Sequence, residues 1–133
     1  MKFILNYSDG FTEELVSFEA QLFPHKAEVT FDCFIGYIRN KSIDVELELS
    51  TEELNCFKID LSVFEDNYEL EMTDLKSLSI SFELNEHKFK KSFYGYSPSV
   101  IQKEKFGKNN LGKLDSIVDI IRNEIINYSS KLA

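Results

Sequence analysis

The sequence predicts an α+β fold, a meandering antiparallel β-sheet with a C-terminal α-helix packed on one face. Three observations carry that prediction. Apolar and polar residues alternate through several runs between residues 16 and 96, short turn signals separate the runs, and residues 114–132 switch to a 3-4 apolar spacing. The 133 residues fit one domain, 1–133, whose core buries roughly two-thirds of the unfolded chain's surface. With 43% hydrophobic and 14% aromatic residues the chain is not of the disordered class, and a net charge of −8 excludes a uniformly basic nucleic-acid binder.

Residues 11–23 carry two periodicities. Phe11, Leu15, Phe18 and Leu22 have helical spacing, whereas Val16, Phe18, Ala20 and Leu22 alternate as in a strand. The clean polar filling by Ser17, Glu19 and Gln21 favours the strand, with Pro24-His25-Lys26 as the turn that follows. Residues 29–38 are β-branched or aromatic at nearly every position. Val29, Phe31, Cys33, Ile35 and Tyr37 lie on one face and Phe34 and Ile38 on the other, the pattern of a strand covered on both sides. Asn40-Lys41-Ser42 reads as a turn. After it Ile43, Val45, Leu47 and Leu49 alternate with Asp44, Glu46 and Glu48, the clearest half-exposed strand in the chain.

Ser50-Thr51-Glu52-Glu53 has the spacing of a capping box for a single helical turn, and Phe57, Ile59, Leu61 and Val63 then alternate as a further strand. Beyond Glu65-Asp66-Asn67, Tyr68, Leu70 and Met72 alternate with Glu69 and Glu71. Leu78, Ile80, Phe82 and Leu84 form the next run, and Asn85-Glu86 reads as a two-residue hairpin loop. The strand over residues 87–96 is basic where the others are acidic. Ser97-Pro98-Ser99 ends it, and residues 103–113 read as an exposed loop. The helix gathers Leu114, Ile117, Val118, Ile121, Ile125, Tyr128 and Leu132 on one stripe, widened by Ile120 and Ile126, which needs a sheet face to cover.

No run approaches the roughly 18 apolar residues of a membrane span, and the three consecutive apolar residues Phe3-Ile4-Leu5 are too few for a signal-peptide core. A cytoplasmic location follows as an expectation, with Cys33 and Cys56 as reduced core thiols. Thirteen lysines against two arginines, with abundant Ile, Phe and Asn, suit an AT-rich bacterial or phage genome.

No catalytic residue, cofactor or metal ligand is predicted. Cys33, Cys56, His25 and His87 lack the paired spacings of a zinc site, no nucleophile elbow is present, and both histidines read as turn residues. Carboxylates abound, but an acid and base pair for glycoside hydrolysis needs one of them in an apolar pocket, and these alternate on a solvated face. No glycine-rich strand-to-helix turn cradles a phosphate.

Charge placement is the informative feature. Residues 1–86 hold 19 acids against 6 bases, a net of −13; residues 87–113 hold seven lysines against Glu104, a net of +6; the rest contribute −1. Asp44, Glu46 and Glu48 on one strand face form a row of carboxylates at about 7 Å intervals, which Glu69 and Glu71 extend. That interval is close to the spacing of phosphates on an extended nucleic-acid strand, so the row suits the basic groove of a protein that handles nucleic acid. The alternative function is a single-stranded nucleic-acid binding module built on Lys88, Lys90, Tyr94, Tyr96, Lys103 and Lys105, where aromatics interleave with lysines. Both patches also have bland readings: acids that keep a sheet face soluble and guard its edges, and lysines that pair with the protein's own acidic strands.

In these features the chain resembles the small acidic cytoplasmic immunity proteins of contact-dependent growth inhibition and related polymorphic toxin systems. The resemblance spans the whole chain and rests on a sheet-plus-helix domain, the lack of catalytic motifs and acidic strands such as Ile43-Asp44-Val45-Glu46-Leu47-Glu48-Leu49. It carries no residue role over. It implies a non-catalytic protein that binds and neutralises a cognate toxin, a nuclease domain in the expected case, through Asp44, Glu46, Glu48, Glu69 and Glu71, with exposed aromatic residues as anchors.

Overall fold

The computed structural model describes residues 3–10, 13–69, 76–95 and 112–132. Its elements run β1 (Phe3–Ser8), β2 (Ser17–Phe23), β3 (Lys26–Cys33), a 3-10 turn (Ile35–Tyr37), β4 (Ile38–Glu46), α1 (Thr51–Ser62), β5 (Asn67–Glu69), β6 (Ser77–Leu84), β7 (His87–Tyr94) and α2 (Gly112–Leu132). The strands form one sheet in the order β4-β3-β2-β1-β6-β7-β5, antiparallel except for the β5–β7 pair. The fold is α+β, with the C-terminal helix on one face of the sheet.

Strict alternation makes that sheet one-sided. Phe3, Leu5 and Tyr7 of β1, Phe18, Ala20 and Leu22 of β2, Ala27, Val29 and Phe31 of β3 and Leu78, Ile80 and Phe82 of β6 are all buried. They point to the face that α2 covers with Leu114, Ile117, Val118, Ile121 and Ile125. The intervening residues make the other face polar. Central among the strands is β1, an element that the sequence pattern does not announce. Phe3, Leu5 and Tyr7 alternate with Asn6 and Ser8, but the apolar Ile4 fills the first intervening position and hides the period.

Two hairpins are set by their turns. Asn85 and Glu86 both take positive φ, 52° and 66°, so the predicted two-residue loop between β6 and β7 forms without a glycine. Pro24 and His25 close β2 onto β3, with His25 at φ 69°, and the His25 backbone then hydrogen-bonds Leu47 and Leu49.

The structure corrects several expectations. Residues 29–38 are not one doubly covered strand. β3 ends at Cys33; of the two residues expected on its far face, Phe34 enters a reversal in which Gly36 (φ 72°) and Tyr37 (φ 54°) are left-handed, and Ile38 opens β4. Residues 40–42 lie inside β4, where Asn40 (φ 50°) marks a register shift against β3 instead of a chain reversal. Glycine suits position 36, where φ is left-handed and a Cβ would stand 3.3 Å from the Ser129 carbonyl oxygen, so that α2 would have to give by a few tenths of an ångström.

Residues 57–63 belong to a helix, not a strand. Ser50 accepts from the Glu53 N–H at 3.1 Å while Glu53 accepts from the Ser50 N–H at 3.0 Å, and this capping box opens twelve helical residues. Phe57 and Leu61 satisfy both periods, because four residues apart is one face of a helix and one face of a strand alike. Leu54 decides for the helix: it is buried with them, while Ile59 and Val63 are 56% and 82% exposed. The Phe57 ring packs 6.3 Å from Phe3, which stacks on Phe82 at 5.9 Å. Cys56 is consequently exposed, not a core thiol; Cys33 is buried, and both are free.

The meander is also interrupted. Strands β1 to β4 run outward to one edge, and the chain then crosses by way of α1 to the opposite edge, where β5 lies parallel to β7. Lys91, 3% exposed, anchors that crossing with bonds to the Phe64 carbonyl at 2.7 Å and the Asp66 carboxylate at 2.9 Å. Gly112 and Lys113 belong to α2, not to a loop, and Leu70, Met72 and the remainder of the predicted loop lie outside the described residues.

The assignment of α1 predicts a contrast. Phe57→Ala should destabilise the domain by about 3–5 kcal/mol and Ile59→Ala by under about 0.5 kcal/mol, measured by urea unfolding. Comparable losses would restore residues 57–63 to a strand.

Candidate partner-binding surface

The helix-free face of the sheet is built from rows that the register defines. Asp44, Glu28, Gln21, Ile4, Ser81 and Lys90 stand opposite one another in sequence across β4, β3, β2, β1, β6 and β7. The neighbouring row holds Ser42, Thr30, Glu19, Asn6, Ser79 and Ser92. The face is therefore acidic at the β4 end, rich in hydroxyl and amide groups at the centre, and basic at β7.

Three shallow depressions follow that gradient. Glu19, Glu28 and Asp44 line one of about 580 Å³ with Gln21, Thr30 and Ser42. Asn6, Ser8, Ser17, Ser77 and Ser79 line the next, of about 480 Å³. Lys88 and Lys90 line a third of about 530 Å³ with Ile4, Ser81 and Glu83.

Of the predicted contact residues, the structure brings together Asp44 and Glu46, exposed on the edge strand β4, and Glu48, exposed between buried Leu47 and Leu49. It does not join Glu69 to them. Glu69 is exposed on β5, at the other edge, six strand spacings or about 28 Å away. Glu71 lies outside the described residues. Glu19 and Glu28 join the row where Glu69 does not, and counting back from the turn at Pro24-His25 would have located them, since a two-residue loop sets Gln21 opposite Glu28.

The carboxylates are poorly neutralised. Glu28 stands directly opposite Asp44, a like-charge pair that destabilises a sheet, and its cation is Lys26 at 3.5 Å. Glu19, Asp44 and Glu46 form no ion pair among the described residues.

Lys88, Lys90 and Tyr94 share the open face of β7, all exposed. The two lysines make no ion pair among the described residues, and five strand spacings separate them from β4, so they do not neutralise its acids. Tyr96, Lys103 and Lys105 lie outside the described residues.

A buried polar cluster sits at the end of β1. The Asp9 side chain is fully buried; it accepts from the Tyr7 hydroxyl at 2.6 Å, from the Val16 N–H at 3.1 Å and from Arg122 of α2 through two bonds of 2.9 Å. Both carboxylate oxygens are occupied by these donors, so the cluster positions chain segments and presents no free base. Hydrogen bonding to Asp9 raises the Arg122 pKa despite partial burial, so the guanidinium stays charged. At the surface, the Lys113 ammonium 2.6 Å from Glu53, together with the Ser50 N–H, lowers the Glu53 pKa and ties α2 to the start of α1. Among the described residues no group of His, Cys, Asp and Glu is placed to hold a metal, and no helix is long and apolar enough to cross a membrane.

Burial, reinforced by the Asp9 carboxylate, raises the Tyr7 pKa well above its ordinary value of 10.0. The folded protein keeps this proton where the unfolded chain releases it, so the contribution is complete below about pH 10 and is lost as pH rises further. Stability from urea titrations between about pH 8 and about pH 11 should fall above pH 10, and Tyr7→Phe should flatten that fall. Equal slopes in both proteins would remove Tyr7 as the cause.

Comparison of the chain with protein-family models, with curated proteins and with solved structures finds no match, so the chemistry of this surface alone bears on function.

Proposed function

We propose that this protein is a non-catalytic, immunity-type inhibitor that binds a basic toxin domain, a nuclease in the expected case, over the acidic half of its open sheet face. The observation that carries the reading is the apposition of Glu28 and Asp44, with Glu19 in the same depression and Glu46 and Glu48 continuing the edge. Like charges placed directly opposite cost a sheet on the order of 0.2–1 kcal/mol, a cost that a cationic partner would relieve. Their fields would also steer a basic protein into encounter and raise its association rate. Free thiols at Cys33 and Cys56 fit a reducing cytoplasm.

Two outcomes test this. Purified from its native host, the chain should carry a stoichiometric basic protein; a chain that stays alone, with no toxin gene beside its own, overturns the proposal. Asp44→Lys should stabilise the isolated domain by a few tenths of a kcal/mol, up to about 1, because it turns a repulsive pair into an attractive one, while weakening the complex at least tenfold. Unchanged affinity would remove the acidic face from the interface.

Single-stranded nucleic acid is the second occupant, favoured by the shared exposure of Lys88, Lys90 and Tyr94 on β7. It would lie along that strand with a base stacked on Tyr94. Binding to oligonucleotides should then weaken steeply with salt, and no detectable binding at low salt excludes it.

A further inference from the structure

The hairpin reversal between β3 and β4 sorts its apolar residues into two sets. Ile35 and Ile38 are half-buried and pack against the core, whereas Phe34 and Tyr37 are 53% and 82% exposed. The backbone enforces this: Gly36 and Tyr37 take φ 72° and 54°, conformations an aromatic residue seldom adopts, and the turn is seated on α2 where Gly36 meets the Ser129 carbonyl. The two rings hold each other edge to face at 5.3 Å.

Across from them is Leu15, 49% exposed and also left-handed at φ 45°. Its segment is fixed to the reversal, because the Glu14 carbonyl accepts from the Phe34 N–H at 2.8 Å and from the Cys33 thiol at 3.6 Å. Leu15, Phe34 and Tyr37 line a depression of about 280 Å³ with Cys33, Asp32 and Arg39. Ser17 and Asp32 line both this depression and the hydroxyl-rich one, which in turn shares Glu19 and Thr30 with the acidic one. The apolar end is thus continuous with the acidic face.

We infer that this depression is the apolar anchor site of the same interface, and that it takes one leucine- or phenylalanine-type side chain carried on a lysine- or arginine-rich segment of the partner. The inference rests on the proposed reading of the acidic face, whose excess of carboxylates over the cation Lys26 sets the charge of the approaching segment. Charge steers without selecting, and an apolar side chain fitted between preset rings supplies the selection. The rings already contact each other in the unbound protein, which limits the side-chain freedom lost when the partner seats.

Two synthetic peptides of equal length and equal lysine content, one with a central leucine and one with serine in its place, are titrated into isotopically labelled protein at low salt. Both should shift the amides of Glu19, Glu28 and Asp44. The leucine peptide alone should shift Phe34 and Tyr37, and it should bind about tenfold tighter, which is about 1.4 kcal/mol. Tyr37→Ser should erase that difference and leave the serine peptide's affinity unchanged, with Phe34→Ser as the second variant should the first disturb the fold. Equal affinities in the native protein, or leucine shifts centred on exposed Ile59 of α1 and Val63 at its C-terminal cap, overturn the anchor while the acidic face stands. Unaltered leucine-peptide binding to a Glu28→Lys/Asp44→Lys variant keeps the anchor and overturns the acidic face. Binding of neither peptide overturns both.

Discussion

A single carboxylate holds together the parts of this molecule that matter to its surface. Asp9 follows the central strand with its side chain fully buried and accepts from Tyr7, the Val16 backbone and Nε and Nη2 of Arg122. An ion pair of this kind adds little over a well-packed apolar substitute, yet removing one partner strands the other charge, a loss of roughly 3–5 kcal/mol. The bonds therefore dictate geometry more than they add stability. They fix where β1 gives way to β2 and how α2 crosses the sheet. Arg122 also reaches Glu14 at 3.6 Å, and the Glu14 carbonyl in turn holds the end of β3. The aromatic reversal is thus positioned from the interior.

Coverage of one sheet face by helix follows from strict alternation, and it leaves the other face to water. On an antiparallel sheet such a face needs only polarity. Here it carries more than polarity, because the acids gather on β2 to β4 and the lysines on β7, with hydroxyl and amide groups between. Mixing the signs would have served solubility with less repulsion. The uneven distribution, with Glu28 facing Asp44, is what divides this face into an acidic end and a basic end.

Where the sequence misled, two physical periods coincided. Phe57 and Leu61 satisfy strand and helix alike, and tertiary packing of Leu54 beside them settled the choice. Residues 29–38 seemed apolar on both faces because a reversal seated on α2 was read as continuing strand, a contact invisible without the helix in place. The short β5 is held in its parallel pairing through Asp66, whose carboxylate accepts from Lys91 and whose backbone carbonyl accepts from the Ser92 N–H, links between residues 25 and 26 apart. Local pattern carries no trace of such links.

By itself the sequence determined the fold class, the buried face of the long strands, the β6–β7 turn, the division of charge along the chain and the α2 stripe from Leu114 to Ile125, although Ile120 and Leu132, expected on that stripe, are exposed where the helix turns away from and runs past the core. Each depends on neighbours within a few positions, where steric and hydrophobic periodicity act directly. Tertiary structure alone decided which charges meet. Strand order set Glu69 at the opposite edge from Asp44, and register set Glu28 against Asp44 with Glu19 in the same depression. Strand order and register are long-range properties, chosen by the core packing of all the elements together, and the acidic face exists only once they are chosen.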